Sequence, residues 1–292
     1  MAYPSRRTIV RESAELSLLG ATSTVIERHR ITVSGRADGP VLLFAHGFGC
    51  DQGMWQRVVP YFTDTYRVVS FDHMGSGRSD PRAYEPEKYS SLDGYVSDIL
   101  EICAELDLHD VVLVSHSVAT MMAVLAAIAA PERFSRLVLV APSPSYVDDP
   151  ADGYVGGFTQ DDIDGLLESL DSNYFAWSAA LAPVIMGNPA TPELAGELEA
   201  SFCRTNPETA RAFARVSFLS DIRSRLGDLA VPALILQCSD DVLAPPAVGR
   251  YLHDRLQGSA LVQLAATGHV PQASAPEETA LAIRRYLEAE LP

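Results

Sequence analysis

Apolar and polar positions along the chain fall into two alternating rhythms. Residues 24–33 alternate in the manner of a half-exposed strand, and the continuous apolar run 41–45 reads as a strand buried on both faces. A Gly-rich turn follows at His46-Gly47-Phe48-Gly49, and then a helix around 54–62. A strand from Arg67 to Phe71 runs into the loop 72–79, and a long amphipathic helix fits 92–107. Next come strand 111–115, a sharp turn at His116-Ser117-Val118, and the apolar helix 118–129, which Pro131 ends. Strand 136–141 closes this half.

The rhythm changes from about Pro142 to Ala230. Helical periodicity holds near 159–171, 173–186, 191–204 and 207–219, with Gly and Pro between, and no clear strand interrupts it. Strand-helix alternation then resumes with strand 232–238, helix 246–256, strand 260–264 and a terminal helix 276–289. Strands alternating with helices predict an α/β fold, with a mostly parallel sheet covered on both faces. The helical stretch falls between two of its strands, so it reads as an inserted cap. The expected organisation is a core of 22–144 and 230–292, a cap of 145–229, and an unassigned extension of 1–21.

Composition narrows the function classes. With 292 residues, 47% of them hydrophobic, the chain can bury a large core. The formal charge of −16 repels phosphate backbones and anionic lipid, so nucleic acid and membrane surfaces are poor partners. The four cysteines are scattered without a CxxC pair, which points to reduced, mostly buried thiols. The first twenty residues lack a continuous apolar core of secretory type, and the expectation is a cytoplasmic protein.

The candidate chemistry centres on Ser115-His116-Ser117-Val118-Ala119, where a buried strand turns into a helix. A serine there sits on a tight turn with its hydroxyl exposed above a helix N-terminus. The usual pattern is G-x-S-x-G, and both glycines are replaced here, so the motif alone also fits a structural serine capping a helix. A serine nucleophile needs a base, and the base needs a carboxylate that fixes its tautomer. His269 follows strand 260–264, and both Asp240 and Asp241 follow strand 232–238. The order Ser, acid, His at successive strand ends is that of a hydrolase triad. Two backbone N–H groups would hold the developing oxyanion, those of Val118 and of Phe48 in the HGFG loop. His116 beside the nucleophile reads as a packed polar residue, and His46 as a brace for that loop. His29, His73, His109 and His253 form no metal-ligand pattern, so neither metal nor cofactor is expected. Gly75-Ser76-Gly77 lacks the rest of a phosphate-binding motif and reads as a turn.

The segments HGFGCDQGMW, DHMGSGRSD, SHSVAT, SPSYVDDP, LQCSDDVLAP and GHVPQ, with the cap run 156–177, resemble the RsbQ-type α/β-hydrolases over about residues 22–290. That group is similar to the plant strigolactone and karrikin receptors. The resemblance implies Ser117, Asp241 and His269 as the triad. Asp241 is preferred to Asp240 because it immediately precedes Val-Leu-Ala-Pro, as the family's acid does. It also implies an apolar pocket lined by Phe48, Tyr146, Phe158, Trp177, Leu181 and Phe218 beneath a four-helix cap. Two positions depart from the family, Ser115 for Gly and Ala119 for Gly or Ser; the first could strain the elbow or supply a second hydroxyl.

The expected activity is a serine hydrolase cleaving a small, largely apolar ester or lactone without a cofactor. An Asp-nucleophile dehalogenase is disfavoured by the serine at the elbow. The alternative is a ligand-sensing regulator with slow hydrolysis; resemblance to the RsbQ group implies a PAS-domain phosphatase partner.

Overall fold

A computed structural model describes residues 23–289; the expectations for the extension 1–21 lie outside the described residues. Seven strands form one sheet: β1 (Thr32–Gly35), β2 (Val41–Ala45), β3 (Arg67–Ser70), β4 (Val111–His116), β5 (Phe134–Val140), β6 (Ala233–Asp240) and β7 (Ala260–Thr267). Their order is β1-β3-β2-β4-β5-β6-β7. Among the described residues only β1 runs antiparallel to its neighbour; the other pairs are parallel. Every residue of β4 is buried, which is why its sequence is a continuous apolar run and not an alternation.

The pleat sends Leu43, Leu113, Leu139 and Ile235 to one face, against α2 (Leu92–Glu105) and α3 (Val118–Ala129). Leu42, Phe44, Val114, Val138 and Leu236 go to the other, where α10 (Pro276–Glu288) contributes Ala280 and Ile283. At about 1.5–3 kcal/mol for each large side chain removed from water, these two layers hold the sheet. Around it stand α1 (Val25–Arg28), α8 (Pro246–Arg255) and α9 (Pro271–Ser274). Cys50, Cys103 and Cys238 are buried free thiols, and Cys203 is exposed. No helix among the described residues is long and apolar enough to cross a membrane.

Two local expectations are corrected. The strand expected over 24–33 begins only at Thr32, because Thr24 and Glu27 form a capping box that starts α1 instead. Thr24 Oγ1 accepts from the Glu27 amide at 3.3 Å, and the Glu27 carboxylate accepts from the Thr24 amide at 3.0 Å. The helix expected around 54–62 is two short 3-10 turns, Gln52–Trp55 and Val59–Tyr61. Pro60 lacks the amide that a continuing helix would need.

Between β5 and β6 the chain inserts α4 (Gln160–Ser172), α5 (Tyr174–Met186), α6 (Pro192–Arg204) and α7 (Pro207–Leu219). Thr159, Asn173 and Asn206 cap three of them. Helix α5 packs on α6, and α4 packs on α7. Ile163, Leu167 and Leu170 of α4 point inward at helical spacing, as do Leu194, Leu198 and Phe202 of α6. In place of strands this stretch holds two isolated bridges among the described residues, Val147–Phe158 and Asp149–Tyr154.

Candidate active site

The connection from β2 goes to one side of the sheet and the next goes to the other, so the strand order reverses between β2 and β4. The loops after these two strands therefore open away from each other and leave a crevice at their carboxyl ends. One loop carries Phe48 and the other Ser117. Ser117 adopts φ 56°, ψ −131°, a left-handed conformation that costs a non-glycine residue about 1–3 kcal/mol. Its amide donates to the Val140 carbonyl at 2.9 Å and its carbonyl accepts from the Thr120 amide at 2.9 Å, which holds the turn. The hydroxyl is thereby presented above the N-terminus of α3.

His269 Nε2 lies 2.8 Å from Ser117 Oγ, and His269 Nδ1 lies 2.8 Å from Asp241 Oδ2. The other carboxylate oxygen, Oδ1, accepts from the amides of Leu243 at 2.9 Å and Ala244 at 3.1 Å. Burial pushes the Asp241 carboxyl up, but His269 and these two amides outweigh it, and its pKa lies below the ordinary carboxylate value. Asp241 is therefore an anion at neutral pH. Asp240, one residue earlier, turns its side chain to solvent, and its carbonyl accepts from the Gly268 amide at 2.7 Å. The structure thus brings together Ser117, Asp241 and His269, and leaves Asp240 outside.

The amides of Phe48 and Val118 donate to no group among the described residues. The HGFG loop approaches the elbow closely: a Cβ on Gly47 would stand 2.8 Å from His116 Nδ1 and 2.9 Å from Ser117 Cβ. Gly49 has φ +72°, and a Cβ there would come within 1.8 Å of the Phe202 ring. His46 Nδ1 bonds the Gly47 carbonyl at 2.8 Å, and its Nε2 accepts from the His73 amide at 3.0 Å. Burial pushes the His46 imidazole below its ordinary value, in keeping with a neutral brace.

Phe48 is the hub of an aromatic cluster, with ring centroids 5.7–6.2 Å from Trp177, Phe202, Phe213 and Phe218. Tyr146 stacks at a tilt on Phe218 at 5.2 Å, while Phe158 and Leu181 pack at the margin of the same apolar group. All six expected pocket residues belong to, or pack against, one apolar cluster. Trp177 and Leu181 also border an outer groove of about 550 Å³ between α4 and α5. A larger cavity of about 820 Å³ lies elsewhere, between α1, the 52–55 turn and α6, and Ser117, Asp241 and His269 take no part in its lining.

Three features of the site escape the sequence reading. The Tyr146 hydroxyl reaches Ser117 Oγ at 3.4 Å, and burial pushes its pKa up to about 12, so it carries its proton. Phe202 closes over Phe48, a role that the inward spacing of Leu194, Leu198 and Phe202 signals. His116 is not a bystander, since its Nε2 lies 2.8 Å from the His269 carbonyl. Ser115 is fully buried and its hydroxyl donates to the Val138 carbonyl at 3.1 Å; the positive φ of the elbow is at Ser117. His29 also has company that a search for clustered histidines misses: its ring nitrogens, Asp98 and Glu101 offer ligand atoms within 4.8 Å of one another. Lys88 at 2.5 Å from Asp98 and Arg28 at 2.6 Å from Glu101 already supply the positive charge that a metal would bring.

Residues 40–276 match the family model of the alpha/beta hydrolase fold. The chain is 37% identical over 268 residues to the karrikin insensitive 2 receptor CA of Petunia hybrida, covering 91% of this chain and 98% of the relative. It is 36% identical over 264 residues to the strigolactone esterase D14 of Arabidopsis thaliana, covering 90% and 97%. A solved hydrolase from Oleispira antarctica superposes with a TM-score of 0.88 at 39% identity, covering 91% of this chain and 97% of that one. The reversal point of the sheet, the serine elbow and this likeness along nine-tenths of its length agree: the chain belongs to the α/β-hydrolase fold family.

Proposed function

We propose that this chain is a serine hydrolase cleaving a small, largely apolar ester or lactone beneath a four-helix cap formed by 145–229. The observation that carries the reading is the continuous relay Ser117–His269–Asp241, with both links at 2.8 Å, next to the free amides of Phe48 and Val118. Ester chemistry is supported by relatives named as esterases in Arabidopsis thaliana and rice, each about as similar to this chain as the other.

The proton inventory follows from the hydrogen bonds. Because the Asp241 anion accepts a hydrogen bond from His269 Nδ1–H, Nε2 keeps its lone pair and faces the serine hydroxyl. Ser117 Oγ attacks the substrate carbonyl as its proton passes to Nε2, and Asp241 stabilises the imidazolium that forms. The negative charge develops on the carbonyl oxygen, where the amides of Phe48 and Val118 and the N-terminus of α3 stabilise it. His269 then returns the proton to the leaving oxygen, and water activated by the same imidazole releases the acyl group. The apolar walls of Phe48, Trp177 and Phe218 offer no partner for a charged substrate and favour an apolar one.

Turnover of p-nitrophenyl acetate by the protein and by Ser117→Ala tests this. The expected outcome is hydrolysis that the substitution removes; equal rates in both would sink the reading.

A second reading, in which ligand binding matters more than turnover, is supported by the relatives named as karrikin insensitive 2 receptors. In that reading a signalling partner, of the PAS-domain phosphatase kind in the RsbQ group, engages the cap. The most exposed apolar residues of α5, Phe175 and Val184, are nine positions apart and thus on opposite sides of the helix, so they do not form one docking patch.

A further inference from the structure

The residue before the nucleophile lies between the base and the HGFG loop. His116 is the last residue of β4 and 2% exposed. Its Nε2 lies 2.8 Å from the backbone carbonyl of His269, 153 residues away. Since a carbonyl only accepts, Nε2 carries the proton and donates, which leaves Nδ1 as a bare lone pair. That Nδ1 has no hydrogen-bond partner among the described residues and faces the narrow space above Gly47. The two imidazole rings of His116 and His269 are 5.1 Å apart, and the Trp55 ring meets His116 edge-on at 6.4 Å. Burial pushes the His116 pKa down to about 3, so the ring stays neutral at any pH at which the enzyme would work.

The second anchor of His269 explains why this contact matters. Its own amide donates to the Ile185 carbonyl of α5 at 2.8 Å. The base therefore has its N–H committed to the helical insertion and its C=O committed to the elbow. Without the latter, the backbone of His269 itself keeps only its bond to the insertion, while the serine stays with β4. We propose that His116 is a positioning residue: through its Nε2–H bond to the His269 carbonyl it sets the distance between the base and Ser117. This rests on the triad reading above, but it makes a separate claim about what holds the base in place.

The geometry of amide side chains separates this from simple packing. Glutamine can offer an N–H near the place of imidazole Nε2, whereas asparagine is too short to reach it. His116→Asn is expected to lower kcat by about tenfold or more with KM within about twofold, since a misplaced catalytic group costs rate without altering the pocket walls. His116→Gln is expected to restore most of the loss. The proton between His269 and Asp241, followed by its low-field NMR resonance, is expected to move or broaden in His116→Asn and to stay in His116→Gln. Equal kcat for both variants, or an unmoved resonance in His116→Asn, would overturn the inference. A protein without esterase activity whose resonance still responds in this way would instead sink the hydrolase reading and leave the positioning role standing.

Discussion

The amide of His269 donates to the carbonyl of Ile185 across 2.8 Å, so the base of the candidate triad is pinned directly to the last turn of α5. Around that bond Gly187 and Gly268 pack backbone against backbone, both with positive φ. A Cβ on Gly268 would come within 1.8 Å of the Met186 carbonyl oxygen, and the backbone there leaves nothing flexible to yield. Gly268→Ala is therefore expected to push His269 away from Ser117 and lower kcat by roughly a hundredfold, the scale of an ångström-sized misplacement. Steady-state kinetics on an activated ester, with circular dichroism as a folding control, would show it; a fully active alanine variant would refute the coupling.

The carboxylates at 240 and 241 allow a test inside two adjacent positions. Asp241→Asn would keep the shape of the site but replace the anion, so His269 loses the partner that fixes its tautomer. The expected loss of kcat is roughly four orders of magnitude. Asp240→Asn changes a solvent-facing side chain whose structural contact runs through its backbone, and is expected to leave kcat within about threefold. The opposite ranking would reassign the acid.

Most of the candidate site was legible in the chain because each residue of the candidate triad stands at the end of a strand, and the strands are continuous apolar runs broken by Gly, Pro and Asp. The helices of the insertion were equally plain, since Pro192, Pro207 and the glycines mark their limits. Less legible were elements decided by a single local bond, such as α1, where the Thr24–Glu27 cap overrides an alternating pattern. The contacts of His116 with His269 and of Tyr146 with Ser117 leave no periodic trace. They depend on where two loops meet in space, and only the assembled sheet reveals them.

Ser115 looked like a source of strain because glycine is usual at that point of the elbow. Its hydroxyl instead donates to Val138 on the neighbouring strand, and the left-handed residue is Ser117. Ser115→Gly would remove a buried hydrogen bond and loosen a strand interior. The expected result is a lower melting temperature, from a loss of about 1–2 kcal/mol, with turnover within about threefold. A clear gain in kcat would show that the serine does strain the turn after all.

Four buried histidines make stability depend on pH in a defined direction. Burial pushes His29, His46, His73 and His116 all below the ordinary imidazole value. In the unfolded chain these groups bind protons as the pH falls through about 6.5, while in the folded chain they resist. Unfolding therefore takes up protons on the acid side, and stability that is complete above about pH 6.5 is lost progressively below it. Asp241 acts in a separate, lower window. Its folded value is depressed, so its contribution is present above about pH 4 and is lost only as the pH falls further. The expected outcome is a marked fall in the denaturation midpoint between about pH 7 and pH 5, each resisting imidazole adding up to about 1.4 kcal/mol per pH unit. His116→Gln removes one of the four and should lessen that slope by about one proton. A midpoint that stays level from about pH 7 to pH 5 would mean that these imidazoles are protonated in the folded chain.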